Sequence, residues 1–166
     1  KPETAAVARR GGSGWTLRVT GTRGHSSQVF GEELGYGAIF EAARILDEFR
    51  EALAGEEYLT FNPGLVLGGS TLEHEPTESK GLASGVSNVV AETAIVTGDV
   101  RVISSEQSEM VRRRMREIVG RHLPGTSAEI TFGPAPTPMP PVEGNYRVLS
   151  IYDQASRDVG PVRSRR

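Results

Sequence analysis

The chain has 166 residues, 37% of them hydrophobic, with 20 glycines and a formal net charge of −2 from 19 basic and 21 acidic side chains. This length and composition suit one globular domain with an appendage and exclude wholesale disorder, and the balanced charge excludes a global basic field for nucleic acid. Cysteine is absent, which excludes disulfide scaffolds, thiol catalysis and cysteine-based metal sites, and no apolar run is long enough for a membrane span.

Residues 1–14 are polar and glycine-rich and lack the apolar stretch of a signal peptide. Within them 5–10 is a candidate short strand and Gly11-Gly12-Ser13-Gly14 reads as a turn. Trp15, Leu17 and Val19 then alternate with Thr16, Arg18 and Thr20, the pattern of a half-buried strand. A loop over 21–31 carries His25 between Gly24 and two serines. The spacing predicts a helix over 37–53, with Ile39, Ala42, Ala43, Leu46, Phe49 and Leu53 on the core side and Glu41, Arg44, Asp47, Glu48 and Glu51 on the solvent side. A second strand is expected over 59–68, where Pro63 removes a ladder donor and points to a sheet edge. Residues 71–87 are polar without periodicity and read as a loop.

The longest strand is expected over 88–103. Val89, Ala91 and Ile95 have one parity and Val100 and Val102 the other, so a one-residue bulge near Thr97-Gly98 is predicted. A helix over 106–123 follows, opened by Ser104 and Gln107 at capping-box spacing, and then a strand over 128–132. Residues 133–144 are a proline-rich linker, 145–159 an amphipathic segment and 161–166 a basic tail. The order β-α-β-β-α-β predicts an α+β, ferredoxin-like domain: a four-stranded antiparallel sheet with two helices on one face, plus an extra C-terminal helix.

His25 is the strongest single candidate for chemistry, because a histidine in a loop after a strand can act as a donor or base; the competing reading is a turn-capping side chain. Asn88 is a candidate at the mouth of the long strand, against ordinary turn chemistry. Asp99 and Arg101 share a strand face, where a surface ion pair is the plain reading. His74 reads as a loop residue and His122 as a helix-end side chain. The run Arg112-Arg113-Arg114 with Arg116 could suggest RNA, but the long strand lacks the stacking aromatics that an RNA-binding sheet of this topology needs.

Four segments occur in order: WTLRVTGTRGHSS (15–27), GYGAIFEAARIL (35–46), TFNPGLVLGG (60–69) and SNVVA…GDVR (87–101). Together, over about residues 10–160, they resemble the dimerisation (lid) domain of the zinc carboxypeptidases and aminoacylases related to glutamate carboxypeptidase. The resemblance implies a lid over 10–134, a lead from the catalytic domain over 1–9, and a linker and helix of the returning catalytic domain over 135–166. It implies that zinc and the general base belong to that catalytic domain, with no metal ligand in this chain and no hydrolysis by the chain alone. It assigns His25 as a catalytic donor to the oxyanion of the tetrahedral intermediate, reaching across the dimer, and Asn88 and Arg101 as substrate-binding residues. The implied partners are a second copy, through the second strand and first helix, and a peptide or N-acyl amino-acid substrate in the parent enzyme; nucleic acid and membrane are not expected. The helix over 145–159 is expected to lack its natural packing partner. A stand-alone ferredoxin-like binding or oligomerisation module is the alternative, and the compartment is left open.

Overall fold

The computed structural model describes residues 5–134 and 137–159. The basic tail and the first four residues of the expected lead lie outside them. Six strands and three helices follow in chain order: β1 (Gly11–Gly21), α1 (Gly37–Leu53), β2 (Thr60–Gly69), β3 (Thr71–Glu75), β4 (Lys80–Ser84), β5 (Thr93–Val102), α2 (Ser105–Val119), β6 (Thr126–Phe132) and α3 (Glu143–Val159). The main sheet runs β2-β5-β1-β6, antiparallel throughout, the ferredoxin-like order. β2 stands at an edge, as Pro63 implies.

The core lies between one face of this sheet and α1 and α2. Trp15, Leu17 and Val19 of β1 and Ala94, Val96, Val100 and Val102 of β5 meet Ala42, Ile45, Phe49 and Leu53 of α1 and Val111, Met115 and Ile118 of α2. The Trp15 ring stands edge-on to Phe49, centroids 6.0 Å apart, while its Nε1–H donates to the Asp99 carbonyl at 3.2 Å. The indole lies over Gly98 on the neighbouring strand, where a Cβ would overlap both the ring and the Asn62 carbonyl. Gly98→Ala is therefore expected to lower stability by about 1–3 kcal/mol through overpacking. Urea unfolding that matches the unsubstituted chain would contradict this.

Four expectations need correction. The Gly11–Gly14 segment is not a turn but the start of β1, because Gly11 and Ser13 continue inward the alternation of Trp15, Leu17 and Val19. The strand expected over 88–103 begins only at Thr93, and it carries no bulge: Ala94, Val96, Gly98, Val100 and Val102 already share the core face, and its register with β1 is continuous. The irregularity sits opposite, on β2, between Pro63 and Leu65. The 71–87 loop contains the β3–β4 hairpin, turned through a 3-10 segment, Pro76–Glu78, and Ser79 in the left-handed region at φ 50°. Its five-residue strands are too short and polar to give a period in sequence. Its inward Gly81 closely approaches Leu67, so β4 packs against β2 on the face opposite the helices.

The solvent face assigned to α1 also fails at Glu41, which is completely buried. Arg44 donates to it through Nε at 2.8 Å and Nη2 at 2.7 Å, and reaches Glu48 at 2.7 Å. The Leu123 N–H donates to Glu41 at 3.2 Å, and Arg44 also donates to the Arg121 carbonyl at 2.5 Å. Glu41 and Arg44 thus collect the free groups beyond the end of α2 and tie them to α1. α2 begins as expected: the Gln107 N–H donates to Ser104 Oγ at 3.1 Å, while its side-chain Oε1 accepts the Ile103 N–H at 3.0 Å.

The two chain ends of the domain run side by side. Arg9 and Met139 form an antiparallel bridge with both hydrogen bonds at 2.8 Å, and Asn145 Nδ2 donates to the Val7 carbonyl at 2.9 Å. Beyond this clasp α3 presents Tyr146, Val148, Ile151 and Tyr152 to solvent, each more than half exposed.

Candidate functional site

His25 sits just past the C-terminal end of β1. Its segment is fixed by a short ladder to the chain entering β5. The Val90 N–H donates to the Gly24 carbonyl and the Ser26 N–H to the Asn88 carbonyl, both at 2.9 Å, around a His25–Val89 bridge. The Leu34 side chain packs over Gly24, where a Cβ would lie 2.7 Å from its Cδ1. His25 caps the 3-10 turn Ser26–Gln28: its Nδ1 accepts the Ser27 N–H at 3.2 Å and lies 2.8 Å from Ser27 Oγ. The structure thus brings His25 and Asn88 together as one exposed unit at one end of the sheet.

Arg101 is elsewhere. It pairs across β5 with Gly12 and Thr60, at the opposite end of the strand from Thr93, and its Nε donates to Asp99 Oδ2 at 3.1 Å. Eight residues of strand put it about 27 Å from Thr93. Within one copy of the chain it cannot act on the same atoms as His25.

The remaining candidates from sequence have plain roles. His122 Nδ1 lies 3.6 Å from Glu41 Oε1, beside the α1–α2 tie. His74 pairs with Gly81 in the hairpin. The arginine run on α2 is largely engaged: Arg112 and Arg116 stack on the Phe132 ring, and Arg114 donates to the Ala52 carbonyl at 2.9 Å. A cleft of about 610 Å³ lies on the helix-free face, between Thr16, Thr97 and Thr131 and the hairpin tip at Pro76 and Ser79; it does not include His25 or Asn88. Among the described residues no group of three or more His, Asp or Glu side chains is placed to hold a metal ion. No described helix is long and apolar enough to cross a membrane.

Two features escaped sequence reasoning. The contact of Ser27 with His25 is the first, although Ser two residues after a capping side chain is a usable signal for a local hydrogen bond. The outer flank of β2 is the second. Ile39, assigned to the core, is 51% exposed, and with Val66 at 55% it leaves apolar surface along the unpaired side of β2. Ile39 packs over Gly68, where a Cβ would lie 2.9 Å from its Cγ1, which continues that surface from α1 onto the strand.

A family model described as peptidase dimerisation domain matches residues 7–127. Similar solved structures include aminopeptidase PepT from Bacillus cereus (18% identity, TM-score 0.67, 95% of this chain and 38% of that one). A tripeptidase from Staphylococcus aureus (21%, 0.63, 93% and 36%) and a hydantoinase/carbamoylase family amidase from Burkholderia ambifaria (17%, 0.64, 90% and 34%) are also similar. At these identities the likeness is one of fold, and the chain spans little more than a third of each of these proteins. No curated protein matches the sequence.

Proposed function

The chain belongs to the peptidase dimerisation domain family, and from that premise we propose that it is the lid of a metal-dependent peptidase or amidohydrolase, self-associating through β2 and α1. The observation that carries the interface is the unpaired outer edge of β2 with the exposed apolar side chains of Ile39 and Val66 along it. An exposed strand edge beside apolar side chains is a template for a second strand, and a two-fold axis joins two such edges into one continuous sheet. Light scattering on this chain is expected to give twice its 17.9 kDa. Val66→Lys, a charge on the edge, is expected to shift it to monomer. A single-copy mass for the unsubstituted chain at every micromolar concentration would overturn the interface.

Edge pairing also gives Arg101 a purpose. In an antiparallel, two-fold pairing the start of each β2 lies beside the end of the other. Arg101 of one copy then shares an end of the joined sheet with His25 and Asn88 of the second copy. There the guanidinium would grip a substrate carboxylate, the Asn88 amide would contact the substrate, and the His25 imidazole would donate to the developing oxyanion, a contribution of about 3 kcal/mol to the transition state. The substrate class this suits is a peptide or N-acyl amino acid with a free carboxylate. In the parent enzyme zinc would supply a bound water of lowered pKa as nucleophile, held by the catalytic domain and not by this lid. The side-by-side ends at Arg9 and Met139 support a domain inserted between two parts of a larger chain, over about 10–134, with 1–9 leading in and 135–166 leading out. The exposed apolar face of α3 supports the same reading over a stand-alone module, which would fold that helix onto its own sheet.

A further inference from the structure

We infer that Ser27 is a positioning residue that sets the tautomer of His25, leaving its Nε2–H as the outward donor. The argument begins with the turn. The Ser26–Gln28 segment, like any helical start, leaves an amide N–H without a backbone acceptor. Ser, Asp or Asn usually supplies that acceptor. Here the imidazole does: His25 Nδ1 accepts the Ser27 N–H at 3.2 Å. A backbone N–H only donates, so at 3.2 Å it favours a lone pair over a proton on the nitrogen facing it. Ser27 Oγ, 2.8 Å from the same nitrogen, can donate as well, and a second donor directed at Nδ1 reinforces the assignment. In a neutral ring the remaining proton then sits on Nε2.

The surroundings make the arrangement rigid. The Gln28 N–H donates to the His25 carbonyl at 3.0 Å, and the Ser26 N–H is held by Asn88. The backbone on both sides of the imidazole is thus fixed, and the ring is oriented by the residue two positions on. The catalytic meaning of this arrangement rests on the proposed oxyanion role of His25, for which a fixed Nε2–H is the form required. The tautomer itself does not depend on that role.

The test is the imidazole ¹⁵N spectrum of the ¹⁵N-labelled chain at about pH 8.5, where ordinary imidazoles are neutral. Unsubstituted chain and Ser27→Thr are expected to show His25 almost wholly as the Nε2–H form. Ser27→Ala is expected to raise the Nδ1–H fraction at least about twofold, with the His74 and His122 signals unchanged. The same tautomer ratio in all three proteins, or a dominant Nδ1–H form in the unsubstituted chain, would overturn the inference. A fixed Nε2–H form together with full activity of a His25→Ala enzyme would instead sink the oxyanion role and leave the Ser27 assignment standing.

Discussion

Replacing His25 by alanine in the proposed parent hydrolase is expected to lower kcat by about 10²- to 10³-fold with little change in KM, the loss typical of one oxyanion donor. A donor aimed at charge that develops only in the transition state contributes little to ground-state binding. The fold should not register the change, because the side chain is exposed and its one structural duty is to cap a single short turn. His25→Asn, a shorter side chain that still caps, should keep the turn but not the reach. An alanine variant with kcat within about twofold of the parent would remove His25 from the chemistry.

The second large effect is on stability. Glu41→Ala should cost about 3 kcal/mol, lowering the melting temperature by about 6–12 °C, because removing one member of a buried ion pair strands the other. Arg44 would lose both of its bonds to Glu41 and keep Glu48 and two carbonyls. The Leu123 N–H would lose its acceptor. The hydrogen bond to Glu41 is the main reason that the Arg44 guanidinium is held further above its already high range. A raised folded-state value means that this contribution is complete below the ordinary arginine range and is lost only as pH rises through the folded value. Alkaline titration to about pH 11 should therefore leave the tie intact. In a double-mutant cycle Glu41→Ala and Arg44→Ala should couple strongly. Additive effects of the two changes would contradict the tie.

What could be read from the sequence tracks the period of its side chains. β1, α1 and α2 show clean periods of two or 3.6, so they are legible to within a few residues, and Pro63 alone points to the sheet edge. The β3–β4 hairpin was illegible because a five-residue strand such as TLEHE lies mostly over another strand and buries little. Glu41 was misplaced because helical spacing reports only which face a residue occupies; the chain after α2, about 80 positions away, closes over that face. Ile39 erred the opposite way, being apolar on the core side of the pattern yet set at the flank where β2 ends the sheet. His25 and Asn88 stand out by their places in a loop and at a strand mouth, the resemblance assigns their roles, and the ladder between 24–26 and 88–90 brings them together. Arg101 lies near the end of β5 and Asn88 before its start at Thr93, a separation that the strand expected over 88–103 already implies. Their use in a single site requires a second copy.

The most direct test of that arrangement is a distance between two copies of this chain. It has no cysteine, so a single introduced cysteine takes a spin label cleanly. One preparation labelled through Arg101→Cys and another through Asn88→Cys would be mixed and their cross-copy separation read by pulsed electron spin resonance. Pairing of β2 edges predicts a cross-copy distance of about 20 Å, from strand spacing across the joint and rise along it, against about 40 Å within one copy. A cross-copy distance of about 40 Å or more, or none, would mean that the domain does not join its sheets through β2, and that Arg101 has no part in the His25 site.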